Sequence, residues 1–276
     1  MHEIDHVEWT EKVTLTCYGV RFAIRANSLD ALRFLQRYLP PKCRRISAAV
    51  EDRLYSVVIG SLDKRLGVKE FNLLCRNSTL LTNSRRLQDV VSAFESDLKL
   101  YVAESSPSGI FIHSGVVGWK GKGILIPGYS FSGKSTLVSE LVQAGATYYS
   151  DEYAVIDNQG DVRPYPSPLH LRDDKDSGRT IKYPLEALGR VPGFRPIPVG
   201  LVFVSQYKPG AVWQARRLLA GQGLLELLSH TATARTRPKA SLIALQKIAT
   251  RSTILKGPRG EARDTVMALL QEVSRH

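Results

Sequence analysis

In the second half of the chain, apolar residues come in short runs punctuated by glycine and charge, a pattern of alternating strands and helices. Ile110 to Trp119 and Lys122 to Ile126 are strand-like and joined at Trp119-Lys120-Gly121-Lys122, which predicts a tight hairpin. Thr136 to Ala144 sets Leu137, Val138, Leu141 and Val142 on one helical face, and Gly145 follows as a stop. Thr147–Tyr149, Tyr153–Ile156, Val199–Gln206 and Ser252–Lys256 read as further strands, and Gly223–Leu228, Ser241–Ala249 and Gly260–Arg275 as helices. Pro164 to Arg195 is rich in proline and charge and predicts irregular structure with one short helix near Leu185–Leu188.

The first half has a different rhythm. Val13 to Ile24 alternates as a strand, and Ser28-Leu29-Asp30 opens a helix to about Tyr38, stopped by Pro40-Pro41. Arg45–Val50 and Leu54–Ile59 read as two strands joined around Glu51-Asp52. Phe71–Cys75 and Leu80–Leu81 read as another pair, turning at Arg76-Asn77-Ser78. Arg86 to about Val102 carries Leu87, Val90, Val91, Phe94, Leu98 and Val102 at helical spacing. Ser105-Ser106-Pro107-Ser108-Gly109 marks a boundary. The expectation is therefore a smaller α+β domain over 1–105, with no nameable chemistry, and an α/β domain over 106–276.

Composition narrows the class. With 276 residues, 43% of them hydrophobic, the chain can bury a substantial core. No apolar run nears the roughly 20 residues that span a bilayer. The polar start Met1-His2-Glu3-Ile4-Asp5-His6 predicts no signal peptide. Cys17, Cys43 and Cys75 lack metal-site spacing and read as reduced thiols, so a cytoplasmic protein without membrane attachment is expected. The net charge of +12 points to anionic partners: nucleotide phosphates, an acidic protein or peptide, or nucleic acid. The basic residues are dispersed and not interleaved with aromatics, which argues against nucleic acid and for solvated surface charge.

One stretch carries explicit chemistry. Gly128-Tyr129-Ser130-Phe131-Ser132-Gly133-Lys134-Ser135-Thr136 fits the phosphate-binding pattern G-x-x-x-x-G-K-[ST]. Glycines let the backbone N–H groups approach an anion, the lysine meets the outer phosphates, and the Ser135 hydroxyl can ligate Mg²⁺. Ile124-Leu125-Ile126 before it and a helix after it supply the required order of strand, loop and helix, with the helix N-terminus facing the phosphates. A glycine-rich turn entering an ordinary helix is the plainer alternative.

If the hairpin turns at Lys120-Gly121, facing residues sum to about 241, which sets His113 opposite Gly128, about 5 Å away. His113 is then either a phosphate contact or a structural hydrogen-bonder of the strand. Asp151-Glu152 ends the strand after the loop's helix, where an α/β sheet opens toward a ligand. One carboxylate there could take a proton from an attacking hydroxyl while the other holds Mg²⁺; the alternative is a polar turn. Arg172, Arg235 and Arg237 could supply positive charge to a transferred phosphate or be surface arginines. Thr231–Lys239 reads as a mobile loop that closes over substrate.

His113-Ser114-Gly115, the hairpin into Gly128–Thr136, the helix ending Gln143-Ala144-Gly145, and Ser150-Asp151-Glu152 together resemble the catalytic core of the HPr kinase/phosphorylase family. The resemblance implies a P-loop kinase fold related to PEP carboxykinase, and ATP- and Mg²⁺-dependent phosphorylation of a serine on a peptide or small protein. It also implies a homo-oligomer. By it, Asp151 is the general base, His113 a phosphate contact, Lys134 the phosphate anchor, and Ser135 and Glu152 the metal side. The family's Leu-Glu-Ile-Arg-Gly signature has the loose counterpart Leu169-His170-Leu171-Arg172-Asp173, without the glutamate. Kinases of this kind also accompany peptide-modification pathways, including lasso-peptide maturation, where the acceptor is a serine of a precursor peptide. A nucleotide sensor without catalysis, a small-molecule kinase and a nucleotide hydrolase stay open as alternatives.

Overall fold

The computed structural model describes residues 7–47, 52–60, 71–129, 132–172, 180–184 and 191–275. It divides into two compact units, Met1–Pro107 and Ser108–His276.

In the first unit, β1 (Glu11–Cys17) and β2 (Val20–Ala26) form a hairpin. The alternation from Val13 to Ile24 is thus two strands. Tyr18 and Gly19 both take positive φ and turn the chain, and the apolar positions change parity there, from Val13, Leu15 and Cys17 to Val20, Phe22 and Ile24. The helix α1 (Leu29–Gln36) starts at Ser28, whose side chain accepts the Ala31 N–H. The strands β3 (Arg44–Arg45), β4 (Leu54–Val58), β5 (Asn72–Arg76) and β6 (Thr79–Ser84) complete a sheet of order β3-β1-β2-β4-β5-β6. β3 pairs with β1, and β4 runs parallel to β2, so these two do not form the expected pair with each other. The long helix α2 (Leu87–Ser105) buries Val90, Val91, Phe94, Leu98 and Val102.

The second unit begins with the hairpin β7 (Ile110–Trp119) and β8 (Lys122–Pro127), turned through Lys120 and Gly121 at positive φ. After α3 (Lys134–Gln143) come β9 (Thr147–Ser150), β10 (Tyr153–Ile156) and β11 (Asp161–Arg163). A two-stranded ribbon, β12 (Leu169–Arg172) with β13 (Thr180–Tyr183), occupies part of the stretch read as irregular; the helix expected near 185–188 lies outside the described residues. Next are β14 (Ile197–Tyr207), β15 (Arg216–Arg217), α4 (Ala220–Ser229), α5 (Pro238–Arg251), β16 (Thr253–Arg259) and α6 (Ala262–Ser274).

β8, β14 and β16 run parallel through the middle of a mixed sheet, in keeping with an α/β class. β11 pairs with both β10 and β14, so β10, β7, β8, β14 and β11 close into a ring. The central strands are buried on both faces, which explains their near-continuous hydrophobic runs. Val117, Ile124, Ile126, Leu201 and Phe203 pack against α3 and α6. Val116, Leu125 and Val202 pack against α4 and α5. No helix among the described residues is long and apolar enough to cross a membrane, and Cys17, Cys43 and Cys75 are free thiols.

Candidate functional site

β7 aligns everything at the site. Ser114 faces Pro127 across the hairpin, and the Gly128 N–H donates to the His113 carbonyl at 3.4 Å, so the facing sum is 241. On its other edge, β7 pairs Tyr153 of β10 with His113 and Ser150 of β9 with Val116. Between these two pairings Asp151-Glu152 makes the turn, tied by the Ser114 N–H donating to the Glu152 carbonyl at 3.1 Å. The Ser150 hydroxyl accepts from the Glu152 and Tyr153 N–H groups at 3.2 and 3.1 Å and fixes the turn's shape. Gly115 lets α3 lie against β7, since a Cβ there would sit 2.5 Å from Val138 Cγ2.

The loop from Gly128 to Gly133 joins β8 to α3; Ser130 and Phe131 within it lie outside the described residues. Gly133 takes φ 83° at the head of α3, a left-handed conformation that favours glycine. Lys134 is only 7% exposed and folds back over the loop, donating from Nζ to the Gly128 and Tyr129 carbonyls at 2.8 Å each. An ammonium has three protons, so one remains for an anion. Burial lowers the Lys134 pKa to about 8, opposed by Asp151 and Glu152. Ser135 and Thr136 follow in the first turn of α3, where backbone N–H groups are unpaired within the helix and the dipole favours negative charge.

Asp151 is 6% exposed. Its Oδ2 accepts the His170 N–H at 3.2 Å, and the carboxylate also bonds the Ser135 side chain. Its Oδ1 is buried without a hydrogen-bond partner. Burial raises the pKa to about 7 against the pull of the His170 N–H, Ser135 and Lys134, with Glu152 adding to the rise. Glu152 is partly exposed beside it. His113 is half-buried, and burial, Lys134 and His230, in that order, drop its pKa to about 4, which makes it a neutral imidazole at physiological pH.

Of the expected residues, the fold thus gathers His113, Lys134, Ser135, Asp151 and Glu152. Of the three arginines, Arg237 is held away from them. Arg235 is exposed. Arg237 reaches the Gly109 carbonyl at 3.5 Å, four residues, or roughly 13 Å of strand, before His113. Arg172 ends β12, and its side chain lies outside the described residues. Nor is Thr231–Lys239 an open loop. Thr231 bridges Ile112, a 3-10 turn spans Ala232–Ala234, and the fully buried Thr233 accepts the Phe111 N–H at 3.3 Å before α5 starts at Pro238. Small polar residues look like a loop in sequence, but their hydroxyls here satisfy buried backbone.

Two residues had no signal in the sequence. Arg259, 1% exposed at the end of β16, donates from Nη2 to the Gly133 carbonyl at 2.7 Å and from Nη1 to the Gly260 carbonyl at 3.0 Å. It braces the loop from behind. His230, at the end of α4, accepts the His113 N–H on its carbonyl at 2.8 Å and sets its ring 4.7 Å from that of Tyr129.

Among the described residues no three His, Cys, Asp or Glu side chains group to hold a metal. The donors present still suit Mg²⁺, which takes one or two protein oxygens and completes its shell with water and phosphate. The Ser135 hydroxyl, in the first turn after the loop, and the partly exposed Glu152 carboxylate, near enough to act on both Lys134 and Asp151, are two such oxygens.

No protein-family model and no curated protein matches this chain. Among solved structures it is distantly similar to the Hpr(Ser) kinase/phosphatase from Coxiella burnetii, at 14% identity and a TM-score of 0.35 over 60% of this chain and 95% of that one. A likeness of that depth bears on neither substrate nor residue roles.

Proposed function

We propose that the chain is an ATP- and Mg²⁺-dependent kinase of the HPr kinase-like class, with a PEP carboxykinase-like P-loop core, that phosphorylates a serine of a peptide or small protein. The observation that carries this reading is the buried Asp151 carboxylate, near pKa 7 and with Oδ1 unpartnered, bonded to Ser135 directly behind the lysine of a glycine loop. Phosphoryl transfer asks mostly for positioning and charge neutralisation, with one base for the attacking hydroxyl.

The loop's N–H groups and Lys134 bind the outer phosphates, and His113 offers a neutral N–H donor. Ser135 and Glu152 would hold Mg²⁺, whose chemistry is to neutralise charge on the phosphate oxygens. Asp151 accepts the serine proton at Oδ1 as the serine oxygen bonds to the γ-phosphorus, and the bond to the leaving ADP oxygen breaks with its electron pair. A pKa near 7 suits this role, because the group is partly ionised at neutral pH and still a useful base. The basic character of the chain favours an acidic acceptor segment. A cytoplasmic setting and a homo-oligomeric state belong to the same reading.

The test is transfer from γ-labelled ATP and Mg²⁺ into a native cell extract, comparing wild type with Asp151→Asn. Label on a serine with wild type alone supports the reading and identifies the acceptor. Equal labelling by both proteins removes Asp151 as the base, and free phosphate without an acceptor would indicate a hydrolase.

A further inference from the structure

His230 has no part in the mechanism above, yet the fold fixes it with unusual care. The Thr231 hydroxyl donates to the Leu227 carbonyl at 2.7 Å, the Thr231 N–H donates to the Leu228 carbonyl at 3.1 Å, and Thr231 bridges Ile112. These bonds hold the end of α4 against β7, where the His113 N–H meets the His230 carbonyl. The ring is pinned edge-on to Tyr129 of the glycine loop. It is 8% exposed, and its Nδ1 is buried with no hydrogen-bond partner.

A buried polar nitrogen left unpaired is costly and rare in folded proteins. The charged and titratable groups that face the ring are Lys134 from α3, His113 from β7, Glu226 from its own helix and Lys256 from β16. Glu226 and Lys256 bond each other, and Lys134 points into the loop. None of them meets Nδ1. Burial first, then Lys134, lowers the proton affinity of the ring, so it is a neutral imidazole with one N–H to donate.

We propose that His230 is a second imidazole of the anion site, whose Nδ1–H donates to an oxygen of a bound polyphosphate alongside Lys134 and His113. This rests on the nucleotide reading above and extends it to a residue outside every recognised motif. The missing hydrogen bond is then made by the ligand. Tyr129 holds the ring in place, so the loop and the end of α4 bind the anion as one unit.

The test uses the full chain with ¹⁵N-labelled histidine and backbone, titrated with sodium tripolyphosphate and separately with Mg²⁺–ATP. Expected is a shift of the His230 ring resonances together with the amides of Ser132–Thr136. Affinity should fall about tenfold in His230→Leu and much less in His230→Gln, which keeps an N–H donor. Amides that shift while the His230 ring does not, or a His230→Leu variant that binds like wild type, overturns the His230 assignment and leaves the nucleotide reading standing. Wild type that shows no shift with either ligand overturns both. If His230→Leu does not fold, the ring resonances of wild type and the affinity of His230→Gln decide.

Discussion

Asp97 in the first unit and Asp151 in the second are both carboxylates set among strands and helices, and their surroundings differ in kind. Asp97, on α2, takes Arg53 Nη1 at 3.0 Å, Arg76 Nη1 at 2.9 Å and the Tyr55 hydroxyl at 2.6 Å. Arg53 in turn lies 3.6 Å over the ring of Tyr101. Both oxygens are used, and the network ties α2 to β4 and β5. Asp151 is the more deeply buried, and one of its oxygens is unused. In and against the glycine loop, Ser132 Oγ, His230 Nδ1 and Arg259 Nε are likewise buried without partners. A saturated network holds a fold together; a cluster of unmet donors and acceptors around a glycine loop is suited to a ligand that completes it.

The contrast breaks most directly on Asp151→Asn. Phosphoryl transfer should fall about a thousandfold while Mg²⁺–ATP affinity changes little, measured as initial rates and by calorimetry. The same variant probes stability. The folded-state pKa of about 7 lies above the ordinary value of 3.8, so the native state binds the extra proton between those limits. Wild-type stability therefore falls as pH rises from about 4 to about 7, by on the order of 3–4 kcal/mol. Melting curves should coincide for the two proteins near pH 4 and favour Asp151→Asn near pH 8. A gap that is widest at low pH would contradict the burial of an unsatisfied carboxylate.

Lys134→Ala comes next, with nucleotide affinity down about a hundredfold, since a buried charge-assisted contact is removed. Asp97→Ala tests the other side of the comparison. It should destabilise the chain by about 2–3 kcal/mol in a denaturant titration, because two guanidinium groups lose their counter-charge, and nucleotide affinity should not change. A loss of nucleotide binding there would dissolve the distinction drawn between the two aspartates. Gly115→Ala is expected to be mildest, at about 1–2 kcal/mol, as Val138 is pushed off β7.

The parts of the site that repeat a local pattern were legible in the sequence. The loop, its helix and the hairpin register that pairs Ser114 with Pro127 follow from spacing within about twenty residues. What depended on distant contacts was not. His230 meets His113 across more than a hundred positions, and Arg259 meets Gly133 across 126. Neither residue type is diagnostic alone. The turn at Tyr18-Gly19 was legible in the switch of the apolar positions from odd to even numbers, a local signal that the single-strand reading passed over, whereas the β12–β13 ribbon was hidden by a setting rich in proline and charge. Thr231–Lys239 was misread because buried threonines such as Thr231 and Thr233 cannot be told from loop residues without knowing which backbone groups they satisfy.

β7 acts as the ruler of the molecule. Over four consecutive positions it sets the start of the glycine loop, the ends of β9 and β10, and the aspartate turn between them. Substitutions there shift one contact at a time, but a single inserted or deleted residue between His113 and Val116 would move every chemical group out of alignment at once. In descendants of this sequence, surface connections are free to change length, and this stretch is where the reading frame of the fold has to stay fixed.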